Sequence, residues 1–143
     1  MTNKNEVIQT VELNAVELLL SMDINEIEVP KSIYKMYCKK LKKEIAFEIE
    51  AVPPQKMLEI QQKTMKFDNK GGLEINNVFL SKARTITEGC KMFKDMNLVK
   101  HFGCATPHQL IEKILVTGEI TELSNAITSL SEVEKISDDE IKN

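Results

Sequence analysis

The sequence predicts a predominantly helical α+β fold, a small antiparallel β-hairpin packed by five or six helices. Three observations predict it. From Glu44 to Val52, Ile45, Phe47, Ile49 and Ala51 alternate with Glu44, Ala46, Glu48 and Glu50, the period of two that a half-buried strand requires. In the other segments apolar residues recur at three- and four-residue spacing, which lines one face of a helix. The phrase from Ile86 to Leu123 then carries explicit helix start and stop chemistry and no catalytic motif.

Residues 1–5 are polar and are expected to be frayed. From Val7, the positions Ile8, Val11, Ala15, Leu18, Leu19 and Met22 follow a helical period, and the run Leu18-Leu19-Leu20 implies that this helix packs. Asp23 to Glu28 reads as a connector, and Pro30, which has no N–H to donate, does not belong inside a central strand. Ser32 to Leu41 is ambiguous by itself: Ile33, Tyr37 and Leu41 keep a helical period, whereas Tyr34, Met36 and Cys38 alternate. The following strand arbitrates, because an isolated strand is not viable and needs a partner. The predicted pair is Ser32–Cys38 with Glu44–Val52, joined by a lysine-rich turn. Pro53-Pro54 ends the strand and opens a helix with Met57, Ile60 and Thr64 on one face. Asp68 to Gly72 is a loop signal, and a longer helix follows from about Glu74 through Ile75, Val78, Phe79, Ala83, Ile86 and Cys90.

Two short helices come next. Asp95 is an N-cap for Leu98, Val99 and Phe102, with Gly103 as the stop. Thr106 caps a second, with Pro107 at the first helical position, Gln109 for a capping box, and Ala105 and Leu110 at the staple positions. Gly118 is predicted to end that helix in the left-handed conformation. The last helix begins near Glu119 and runs through Leu123, Ala126, Ile127 and Leu130. Residues 1–136 are expected to form one domain, and 137–143 a disordered acidic tail.

Composition excludes several classes. A chain of 143 residues with 42% hydrophobic and 29% charged residues can bury a core without staples. A net charge of −3 argues against a dedicated nucleic-acid binder, which needs a basic face. Cys38, Cys90 and Cys104 lack framework spacing and fit a reducing cytoplasm. The N-terminus has no apolar signal region, and no run approaches the length of a membrane span. The expectation is a soluble intracellular protein. Its seven methionines suit either a core with irregular gaps or an adaptable binding surface.

No constellation demands catalysis. Cys90, His101, Cys104 and His108 contain no tight Cys-x₂₋₄-Cys knuckle, so buried cysteines and surface histidines are preferred to a metal site. Read as a Cys/His nucleophile pair, the same residues offer proximity in sequence but no orienting group or oxyanion hole. Glu44, Glu48 and Glu50 share one solvated strand face, and Gly71-Gly72 lacks phosphate-loop spacing. Lys31 to Lys43 carries six lysines around Tyr34 and Tyr37. That pattern suits single-stranded nucleic acid, an acidic membrane surface, or a hairpin edge blunted against strand pairing. The last is preferred, since the only arginine in the chain is the distant Arg84. No catalytic, cofactor-binding or metal-binding residue is assigned.

The phrase Phe93-Lys94-Asp95, Leu98, Phe102-Gly103, Pro107, Leu110, Lys113, Leu115 and Gly118-Glu119 resembles the C-terminal half of the XkdN-like phage tail assembly chaperones. Glu44 to Val52, followed by prolines and a helix, resembles the strand and helix that open the family's core, and together the similarity spans roughly Ile27 to Leu130. At the hairpin tip this chain departs, with Lys39-Lys40-Leu41-Lys42-Lys43 where an Asp/Gly-rich turn is expected.

The resemblance implies a non-enzymatic chaperone that holds the aggregation-prone tape measure protein in the host cytoplasm and is absent from the finished particle. It leaves open a phage, prophage or phage-tail-like bacteriocin source, and a homo-oligomer or a frameshifted longer form as further partners. An acidic domain with apolar helix faces suits such a client. Leu123, Ile127 and Leu130 are the candidate partner-binding residues, with completion of the core as the other reading of that stripe. The competing functions are a structural tail component, which should hold more strand, and a small nucleic-acid-binding regulator using the lysine-rich hairpin.

Overall fold

The computed structural model describes residues 14–64 and 75–134. The frayed start, the first turns of the helix expected from Val7, the loop at Asp68–Gly72 and the acidic tail at 137–143 lie outside the described residues.

Residues 14–21 are helical (α1), and a short 3₁₀ turn follows at Ile24–Glu26. Strands β1 (Lys31–Cys38) and β2 (Lys43–Glu50) form a two-stranded antiparallel sheet. The helices after it are α2 (Pro54–Thr64), α3 (Ile75–Gly89), α4 (Met96–His101), α5 (Pro107–Ile114) and α6 (Thr117–Ser129), with a 3₁₀ helix at Lys91–Lys94. The fold is thus predominantly helical α+β, with one hairpin and six helices among the described residues.

The register pairs Tyr34 with Phe47 and Met36 with Ile45 on the inner face, and Lys31 with Glu50 and Tyr37 with Glu44 on the outer. Tertiary packing therefore selects the alternating reading of Ser32–Cys38 over the helical one. The inner face meets the helices: Met36, Cys38, Phe47 and Ile49 join Ile86, Phe93, Val99, Leu110, Leu123 and Ile127 in one core. Phe47 and Phe93 stack with ring centroids 6.2 Å apart. The 3₁₀ helix, which no periodicity announces, is the piece that delivers Phe93 to that stack.

Local chemistry explains most helix ends. Asp95 accepts from the backbone N–H groups of Asn97 (2.9 Å) and Leu98 (3.3 Å), satisfying two of the orphan donors of α4. Past the other end of α4, Gly103 adopts φ 72° and donates to the Lys100 carbonyl, while Cys104 donates to that of Val99. This is the paired stop that glycine permits. Thr106 Oγ1 accepts from Gln109 N–H at 3.2 Å, and Gln109 Oε1 reaches back to Ala105 N–H at 2.7 Å, one residue earlier than a capping box places it.

Two expectations are corrected. Gly118 does not terminate α5. That helix stops at Ile114 because Leu115 and Val116 turn extended, and Gly118 lies inside α6 without a positive φ. The run Leu18-Leu19-Leu20 does not pack either: residues 14–28 are exposed throughout, Leu18 at 63% and Leu20 at 81%. Asp23 Oδ1 accepts from Asn25 N–H and Glu26 Oε1 from Asp23 N–H, so the 3₁₀ turn after α1 caps itself.

Gly89 permits the closest approach in the core. A Cβ there would clash with Ile127 Cγ2 and come within 3.0 Å of the Glu50 carbonyl oxygen. Its bare backbone lets the end of α3 meet α6 and β2 together.

Candidate functional site

The hairpin tip is anchored to the helices by one carboxylate. Glu119, on the first turn of α6 and only 6% exposed, accepts from Val116 N–H at 2.9 Å and from Lys39 N–H at 3.0 Å. The first bond stabilises a helix start that has no side-chain cap of its own; the second ties β1 to α6 across 80 residues of sequence. Lys40 Nζ donates to the Glu112 carbonyl at 2.8 Å, and Tyr34 Oη to Glu122 Oε1 at 2.8 Å. The hydrogen bond to Glu122 is the main reason that the Tyr34 phenol is held above its usual pKa. Lys42 takes the left-handed φ of 56° that an Asp/Gly-rich turn adopts more cheaply. On the outer sheet face Lys31 stands opposite Glu50, and Lys35 stands opposite Ala46, which Glu44 and Glu48 flank along β2.

The Cys/His group does not assemble. Cys90 is fully buried at the end of α3, where burial pushes its thiol up to about 12, so it holds almost no thiolate near neutral pH. Cys104 is half-buried after Gly103, and His101 lies exposed against the edge of Phe102. Burial, with the Arg84 charge nearby, lowers the pKa of His108. Among the described residues no three His, Cys, Asp or Glu side chains converge as metal ligands would.

The three candidate partner-binding residues separate. Leu123 and Ile127 are each 0% exposed and pack in the core, so the folded surface does not offer them. Leu130, just past α6, is half-buried and lines an open groove of ≈970 Å³. Val29-Pro30 forms one wall, Val52 and the Met57–Leu58 face of α2 another, and Leu130 with Val133 the third. The lining is mainly apolar, and Leu58 is about half exposed within it. Sequence reading missed this groove because its walls come from three segments that share no periodicity. The only signals were the prolines at its corners, Pro30, Pro53 and Pro54, which halt regular structure and leave apolar neighbours uncovered.

A second apolar surface lies on α1 and the residues after it. Ala15, Leu18, Leu19 and Met22 follow the i, i+3, i+4, i+7 pattern, and Val16, Leu20, Ile24 and Ile27 are exposed beside them. Such concentrations of large apolar side chains in contact with water mark interaction surfaces. Among the described residues no helix is long and apolar enough to cross a membrane.

Among the described residues the arrangement offers exposed apolar surfaces on a capped, well-packed domain, and no assembled catalytic group. No curated protein and no solved structure matches the chain. A family model does: over residues 16–142, nearly the whole sequence, the chain belongs to the phage XkdN-like tail assembly chaperone proteins (TAC).

Proposed function

We propose that this chain acts without catalysis, binding the tape measure protein and keeping it soluble in the bacterial cytoplasm until the tail is built, and that it leaves before the particle is finished. Its family supports the chaperone role. The observation that carries the client-binding reading is the groove between Val29-Pro30, α2 and Leu130, a slot that suits an amphipathic helix presenting apolar anchors every three or four residues. Of the stripe Leu123, Ile127 and Leu130, it is Leu130 that reaches this surface.

The test is co-expression with the tape measure protein of the same tail gene cluster. Leu58→Asp, on the groove wall, should leave the melting temperature of the protein, diluted until self-association adds nothing, within about 2 °C of wild type, because a surface change away from caps and core stays near ±0.5 kcal/mol. The same variant should move most of the client into the pellet. A folded Leu58→Asp protein that still keeps its client soluble removes the groove as the client site. A wild-type protein with no effect on client solubility overturns the function itself.

A further inference from the structure

We propose that two copies of this chain exchange their N-terminal segments, the α1 helix of each lying in the Val29/Leu58/Leu130 groove of the other. The observations are two apolar surfaces on one chain, neither covered by another of the described residues. Eight of the large apolar side chains exposed among the described residues fall between Val16 and Val29. The groove lies at the end of that same segment, since Val29 is one of its walls.

In this structure α1 stays out of the groove of its own chain: Leu18, Leu19 and Leu58 are all more than half exposed. Pro30 is fixed to the sheet by Ala51 N–H donating to its carbonyl at 2.9 Å. Residues 23–27 are committed to the self-capped 3₁₀ turn, with Asp23 and Glu26 each accepting a backbone N–H. Docking in cis requires α1 to leave the position it takes here. Docking in trans keeps every one of these bonds.

Exchange also closes. Each copy supplies one helix and one groove, so a twofold pair satisfies both surfaces on both chains and leaves no free end to propagate. A standard interface takes about 800 Å² from each partner. Large apolar side chains standing 40–81% exposed from Val16 to Ile27, with the groove itself, are what each copy brings to such an interface. The dimer stands whether or not the groove also holds a client. Only the competition between α1 and a tape measure helix rests on the preceding reading.

The experiment uses the purified full-length chain alone. In a Cys104→Ser background, which removes the half-buried native thiol, a Leu19→Cys chain is mixed with a differently tagged Leu58→Cys chain and oxidised. The expected product is a covalent dimer carrying both tags. Sedimentation equilibrium should give twice the 16.3 kDa chain mass, and Leu19→Ser with Leu20→Ser should weaken dimerisation at least tenfold. An internal cross-link in the Leu19→Cys/Leu58→Cys double variant, on a single chain, shows docking in cis and overturns the proposal. So does a monomer at tens of micromolar, or a dimer that the two serines leave unchanged. Client solubility is not read in this experiment, so its failure and that of the chaperone reading are distinguishable.

Discussion

Residues 14–29 and the last helix, α6, carry the same sequence signal and meet opposite fates. Both hold leucines and isoleucines at helical spacing, yet Leu19 is 68% exposed and Ile127 is 0% exposed. The difference lies in what surrounds each. Helix α6 is tied to α3 by Lys82 Nζ donating to Thr121 Oγ1, to the hairpin by Tyr34 and Lys39, and meets the bare backbone of Gly89. Helix α1 is followed by a turn whose hydrogen bonds, among the described residues, are internal to Asp23–Ile27. Periodicity is a local property that says a stripe exists. Whether the stripe is core or docking surface is decided by tertiary partners that a local pattern does not contain.

The largest expected effect breaks the comparison open. Ile127→Asp places a carboxylate without a partner in the core that Leu123, Ile86 and Phe47 share and should cost about 3–5 kcal/mol, a large part of the roughly 5–15 kcal/mol that holds a typical domain folded. The same change at Leu19 should alter stability by less than about 0.5 kcal/mol. Urea denaturation checks both, at a concentration low enough that self-association adds nothing to the apparent stability. Equal losses at the two positions would mean that α1 is part of the folding unit.

Much of the fold was legible because its signals are local and redundant. The hairpin followed from the alternation at Ile45, Phe47 and Ile49, and the short helices from Asp95, Gly103, Thr106 and Pro107. What failed was the inference from a residue type to a role when another device could fill it. Gly118 looked like a helix stop, but Leu115 and Val116 end α5 by going extended. Gly89 drew no notice, although the close approach there depends on it. Of the candidate binding stripe only Leu130 reaches the groove, and the groove itself is spread over segments about 100 residues apart.

The two glycines supply the second test, of intermediate size. Gly89→Ala should destabilise by about 1–3 kcal/mol, since its methyl group meets Ile127 and the Glu50 carbonyl and the core must shift to admit it. Gly118→Ala meets nothing within 4 Å and sits in a helix, so it should stabilise the protein, by about 0.5 kcal/mol. Opposite signs in one thermal melt separate a glycine used for close approach from one the fold merely tolerates. A stabilised Gly89→Ala would show that α3 and α6 do not meet as described.

The smallest effect isolates coupling from the strength of a bond. Thr106 and Asp23 make comparable caps, accepting from Gln109 N–H at 3.2 Å and from Asn25 N–H at 3.0 Å. Helix α5 puts Leu110, Ile111 and Ile114 into the core, so loosening its first turn disturbs packing that the whole domain shares. Thr106→Ala should therefore lower global stability by about 1 kcal/mol. The turn capped by Asp23 buries none of its residues, so its opening releases nothing the core depends on, and local openings of this kind sit at the low end of the stability scale. Asp23→Ala should leave the urea midpoint of the dilute protein unchanged while hydrogen exchange at Asn25 and Glu26 accelerates. It should also weaken arm exchange, because the turn that joins α1 to the sheet loses the bond that orders it. If both alanines shift the midpoint alike, residues 14–29 are coupled to the core, and the contrast between the two regions is one of exposure alone.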